Sequence, residues 1–168
     1  MKFIQPHQDL WHSAGGDDDG PMVTLTPRAH LLLSLVQWHS IRSHWPQGLP
    51  VGVRVPNDAD IESVADALPQ LALVALDFPK WTDGRAYSQA HLLRARFGYA
   101  GEVRAVGEVL VDMLPLLART GFDSVVLRAD QDPAAAERAL AFFPAHYQGD
   151  VREARPLFAR APAVEVAS

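Results

Sequence analysis

The chain contains no cysteine, which removes disulfides, thiolate nucleophiles, thiol redox chemistry and cysteine-ligated iron–sulfur clusters together. Any redox chemistry would belong to a bound cofactor or a partner protein, and the sequence assigns no cofactor. Lysine is scarce: Lys2 and Lys80 stand against thirteen arginines. An excess of positive charge is also missing. With a formal net charge of −5, the chain lacks the basic field that non-specific nucleic-acid binding needs. No run approaches the ~20 apolar residues of a membrane helix, and the opening MKFIQPHQDLWHS has no apolar core of signal-peptide length. These absences predict a soluble, cytoplasmic protein with neither nucleic acid nor membrane as partner. No G-x-G-x-x-G follows a strand, and there is no P-loop, no H-E-x-x-H and no G-x-S-x-G elbow around Ser88. The aspartates of AGGDDDG fit no calcium-loop spacing and the seven histidines form no ligand set, so no metal site is assigned.

What remains is a 168-residue chain that is 48% hydrophobic, enough for one domain, since single cores commonly occupy roughly 100–200 residues. Residues 1–20 read as an irregular N-terminal segment with short extended pieces at Lys2 to Gln5 and Leu10 to His12. Thr26-Pro27 then offers a cap and a first-turn proline, and Leu31, Leu32, Leu35, Trp38 and Ile41 follow with helical spacing. From residue 50 to 148 short apolar runs alternate with amphipathic stretches, the signature of βα units around a parallel sheet. The expected strands are 51–55, 71–78, 102–106 and 124–128; the expected helices are 60–68, 85–97, 108–120 and 133–142. Gly121 reads as a helix C-cap, Asp132-Pro133 as a helix start, and Pro115 predicts a kink inside the third helix. Residues 149–168 read as a frayed tail.

Loops leaving the C-terminal ends of parallel strands share one rim, where ligands of βα proteins bind. The stretch FPKWTDGRAYSQ, Phe78 to Gln89, falls on that rim. Thr82 or Asp83 would cap the following helix, while Arg85 in its first turn opposes the helix dipole unless an anion or a carboxylate compensates it. Strand alternation places Arg54 and Arg104 opposite the apolar faces of their strands, where a closed and filled barrel would carry apolar residues. The expected fold is therefore α/β, with about four βα units forming a half-barrel or open curved sheet. Its arginine-bearing face has two readings: an anion site, or an internal lattice in which Asp77, Glu102, Glu108 and Asp130 neutralise the arginines. Trp38 and Trp45 read as core anchors, whereas Trp81 lies on the rim.

Phe78-Pro79, Asp83-Gly84-Arg85-Ala86-Tyr87-Ser88, Leu92-Leu93-Arg94, Gly98-Tyr99, Gly101-Glu102, Arg104-Ala105, Gly107, Asp112 and Gly121-Phe122-Asp123 resemble the motif series of a bacterial domain-of-unknown-function family (934). Genes of that family commonly sit beside the haemoprotein of assimilatory sulfite reductase. The resemblance is dense over residues 78 to 123, with Pro115 and Glu108 departing from the pattern. It implies sulfur assimilation as context and no established activity, although some members are labelled oxidoreductases. The expected function is an accessory role in sulfite reduction, with the rim binding a small anionic ligand or the reductase haemoprotein. Asp83, Gly84, Arg85, Tyr87, Ser88, Arg104 and Arg54 would form the ligand site, with Asp77 and Asp112 positioning the arginines. The alternative is a βα enzyme, of oxidoreductase or lyase class, acting on a small anionic or phosphorylated metabolite with Lys80 or Asp83 as base. A third reading makes the rim the interface of a homodimer.

Overall fold

The structure is a computed structural model that describes residues 1–15, 25–142 and 146–159. Among the described residues, seven strands make one sheet: β1 (Lys2–Phe3), β2 (His12–Ser13), β3 (Leu31–Ser34), β4 (Val51–Val55), β5 (Leu71–Phe78), β6 (Glu102–Gly107) and β7 (Ser124–Val125). Every pairing is parallel, and the order is β1-β7-β6-β5-β4-β3-β2. The described residues also form the α-helices α1 (Leu35–Ile41), α2 (Arg85–Ala95), α3 (Leu114–Thr120) and α4 (Pro133–Ala141), with a 3-10 helix at Ile61–Gln70. The sheet is a half-barrel, as the alternation of strand and helix patterns predicts.

Its curvature follows from chain length. β1 and β2 occupy the two ends of the sheet, yet only residues 4 to 11 separate them. A flat seven-strand sheet would hold its edge strands about 29 Å apart, close to the roughly 30 Å reach of nine fully extended Cα steps. The connection is not fully extended, because Pro6–Gln8 forms a 3-10 turn. The edges must therefore curl toward each other. The connecting strap runs over the concave face, where Asp9 accepts a hydrogen bond from Arg104 Nη1 at 2.6 Å. Trp11 fills the space beside Gly52, at which any Cβ would lie 3.1 Å from the indole.

Apolar side chains fill the convex side under the helices. Leu31, Leu33, Val51, Val53, Val55, Val74, Leu76, Phe78, Val103, Ala105 and Val125 meet Trp38, Val64, Leu93, Leu117 and Phe122 in one buried cluster. The concave side carries Arg54, Asp77, Glu102, Arg104 and Ser124 beside Leu73 and Ala75.

Two local expectations are corrected. Residues 31–34 form a strand rather than the first turns of a helix. Leu31 and Leu33 are buried in alternation and pair with Val51 and Val53. Helix α1 begins only after Ser34, which with Gln37 makes a reciprocal capping box. The third helix does not kink at Pro115. It starts at Leu114, so the proline sits in the first turn, where its missing N–H has no intrahelical partner to lose. The expected strand 124–128 is paired only over Ser124–Val125, and the expected helix 60–68 is the 3-10 helix Ile61–Gln70. Two marked boundaries agree: Gly121 caps α3 in the left-handed region at φ 107°, and the Asp132 carboxylate accepts from Ala134 N and Ala135 N. In the C-terminal segment Arg152 donates to Phe122 O at 2.5 Å and Arg119 faces Asp150 at 3.5 Å. The DDD run of residues 17–19 and the end of the tail lie outside the described residues.

Candidate functional site

The rim at the C-terminal ends of the strands is built from loops 56–60, 79–84, 108–112 and 126–132. Gly107 sets the spacing between two of them. At φ 93° any Cβ there would come 2.5 Å from Phe78 O and 2.9 Å from Asp77 Oδ1, and this close approach lets Glu108 N donate to Phe78 O at 2.8 Å.

In the loop after β5, Asp83 N closes a turn onto Lys80 O at 3.0 Å. Gly84 is the N-cap residue of α2 and offers no side chain. Asp83 supplies the missing acceptor from one residue earlier: its Oδ1 takes Arg85 N at 3.3 Å and Arg85 Nε at 3.0 Å, while Oδ2 takes Arg85 Nη2 at 2.7 Å. The charge that Arg85 places against the helix dipole is thus answered by an internal carboxylate. The Arg85 guanidinium holds the Asp83 carboxyl well below the usual carboxylate range, and Asp83 in turn raises Arg85, with Asp58 adding to the effect. Tyr87 packs edge-on against Phe78 at 5.2 Å, and burial raises its phenol. Ser88 is exposed.

The arginines of the concave face are paired in the same manner. Arg54 makes a fork onto both Asp77 oxygens at 2.9 and 3.1 Å. The Arg104 side chain, only 3% exposed, donates to Asp9, to Glu102 and to Ser124 Oγ. Arg128, which the sequence reading did not single out as a ligand residue, spans Asp130 at 2.6 Å and Glu108 at 2.9 Å. This network lowers Asp130 to about 2, with the Arg128 hydrogen bonds as the main cause. Asp77 and Glu102 therefore occupy the neutralising positions that strand alternation indicates, Glu108 and Asp130 neutralise Arg128 instead of Arg54 or Arg104, and Asp112 is exposed and pairs with no arginine among the described residues. Lys80 is exposed and forms no ion pair among the described residues.

Two rim residues escaped the sequence reading. Gln89 is buried between Ala86 and Leu93, and its Nε2 donates to Pro56 O and Ala59 O at 2.9 Å, pinning the loop after β4 to α2. An amide on the apolar stripe of α2 was the available signal. Asn57, 7% exposed, faces the Asp83 carboxylate, and its Nδ2 makes no hydrogen bond of ordinary geometry.

Charge is distributed unevenly between the two ends of the sheet. The four rim loops together with Arg85 hold seven carboxylates against Lys80, Arg85 and Arg128, a formal balance of −4. At the other end, the loops 28–30, 42–50, 69–70, 96–101 and 119–123 hold four arginines against Asp123. Two cavities also lie at that opposite end: one of about 670 Å³ beside Arg42, Trp45 and Gln70, and one of about 310 Å³ beside Lys2, Arg94 and Glu102. Among the described residues no three histidine, aspartate or glutamate side chains lie together as a metal set, and no helix is long and apolar enough to cross a membrane.

Fold and site together define a parallel βα half-barrel whose strand-C-terminal rim is acidic and whose arginines are held by internal carboxylates. The chain belongs to the family described as bacterial protein of unknown function (DUF934), whose model matches residues 52–158. The match begins within β4, so β1 to β3 and the strap precede it. No curated protein matches the sequence.

Proposed function

We propose that this protein is a non-catalytic accessory of assimilatory sulfite reduction that binds the reductase haemoprotein through its strand-C-terminal rim. The context comes from the family resemblance; the choice among ligands rests on the pairing of the arginines. Arg54, Arg85 and Arg104 each have a carboxylate in hydrogen-bond contact, so a small anion would have to displace one of them. A general base needs a pKa near the working pH, and Asp83 is held far below it. Trp81, by contrast, stands 56% exposed on the rim loop, and an exposed indole suits a protein contact.

One observation favours a second reading, a βα enzyme acting on a small anionic or phosphorylated metabolite. Lys80 lies at the end of β5 without a carboxylate partner among the described residues, a position that βα enzymes use for chemistry. Two measurements on purified protein separate the readings. The accessory role predicts saturable binding to the native haemoprotein and no turnover on sulfur or nucleotide metabolites. Turnover that Lys80→Met abolishes would establish the enzyme instead.

A further inference from the structure

The rim has an exposed aromatic side chain at its centre, acidic side chains around it and few cations left unpaired. We infer that the strand-C-terminal rim is a docking surface for a basic protein surface, with Trp81 as its apolar anchor. The inference rests on the accessory reading above and adds the chemistry of the contact.

Three independent observations carry it. The first is Trp81 itself: tryptophan exposed at 56% places a large apolar area in water, and buried indoles are among the residues that dominate binding energy at protein interfaces. The second is the balance of −4 over the rim loops together with Arg85, of a whole-chain −5. Such a concentration repels small anions and attracts lysine- and arginine-rich surfaces, raising association rates and selecting partners. Asp58, Asp60 and Asp112 are exposed carboxylates that engage no cation in an ion pair among the described residues. The third lies beneath them. Asn57 is nine-tenths buried beside Asp83, and its amide Nδ2 makes no hydrogen bond of ordinary geometry. A guanidinium from a partner that competed with Arg85 for Asp83 would leave this carboxylate a second donor already in place, so the exchange costs it less.

The arrangement also specifies what Arg85 does. It screens Asp83 instead of serving as the contact, so its removal increases the negative charge of the rim. An anion site built on Arg85 makes the opposite prediction.

The test is a titration of the native haemoprotein with the full chain by calorimetry, with circular dichroism confirming the fold of each variant. Wild-type affinity is expected to fall about tenfold between roughly 50 and 300 mM NaCl. Trp81→Ala is expected to weaken binding by about tenfold or more, and Asp58→Lys combined with Asp112→Lys by at least as much. The same charge change made away from the rim, Asp66→Lys with Glu137→Lys, is expected to weaken it far less. Arg85→Ala is expected to bind at least as tightly as wild type. Binding that is insensitive to salt and to the rim variants would overturn the inference while leaving the accessory role standing. Loss of binding in Arg85→Ala, or equal losses from rim and distant charge changes, would overturn it as well. Absence of any wild-type binding would remove both. Sedimentation of the free protein supplies the last outcome: self-association abolished by the rim variants would assign this face to the arginine-bearing end of a second copy and overturn the inference.

Discussion

At the scale of single residues, the rim is held by short-range pairs whose strength depends on pH. Asp130 accepts from Arg128 Nε and Nη2 at 2.6 and 2.7 Å, and its pKa is lowered to about 2 from an unfolded value near 3.9. A carboxyl with a depressed folded pKa contributes stability that is present above the unfolded value and is lost as the pH falls through the folded one. Asp83 follows the same rule with a window that extends lower. Asp130→Asn should therefore melt below wild type by a constant interval at pH values above about 5, and the two melting curves should converge as the pH approaches about 2. Thermal melts of both proteins across that range check this. An interval that does not narrow in acid would mean that packing, not charge, is what Asp130 contributes.

Elements of secondary structure are joined across the concave face by a second set of ion pairs, and here burial raises the stakes. Arg104 on β6 is almost fully enclosed by Asp9 of the strap, Glu102 and Ser124 of β7. Arg104→Met leaves two carboxylates facing one another without a cation, a change that costs about 3–5 kcal/mol. Asp9→Ala removes one acceptor but leaves Glu102 to balance the guanidinium, so it should cost about 1–3 kcal/mol. Urea denaturation of the two variants should rank them in that order; the reverse order would place the strap, not the arginine, at the centre of the cluster. The same elements mark what the sequence makes legible. β4 and β5 have the expected boundaries because each is an apolar run ending in a turn signal, and α2 and α4 begin where expected. The inward-facing Arg54 and Arg104 and their partners Asp77 and Glu102 follow from strand alternation alone, whereas Glu108 and Asp130 lie in rim loops and pair with Arg128 instead. Leu31–Ser34 was not legible as a strand, because its leucines satisfy helical and strand periods equally and only pairing with β4 decides between them. β7 was read as three residues longer than its paired span, because Arg128 N leaves the ladder to donate to Val109 O. Asp9 lies ninety-five positions from Arg104, and no local pattern connects them.

For the molecule as a whole, the strap decides whether the half-barrel stands alone. A sheet with open edges invites pairing with another chain, and short or covered edge strands suppress it. Both edges here are two-residue strands among the described residues, β1 and β2, supplied by one N-terminal segment that also sets Trp11 beside Gly52 and Asp9 against Arg104 on the concave face. Without them the edges become β7 and β3, and β3 presents Leu31, Leu32 and Leu33 beside an unpaired backbone. The buried Arg104 loses Asp9 in the same step. A chain lacking residues 1–13 should therefore unfold at lower urea than the full protein and sediment as larger species at the same concentration. Asp9→Ala retains both edge strands, so it should lose stability without gaining mass. That contrast separates the covering of edges from the neutralisation of Arg104. If the truncated chain kept the sedimentation and the denaturation midpoint of the full protein, the five central strands would be sufficient by themselves, and the curvature imposed by the strap would not be what keeps this sheet from pairing with its own copies.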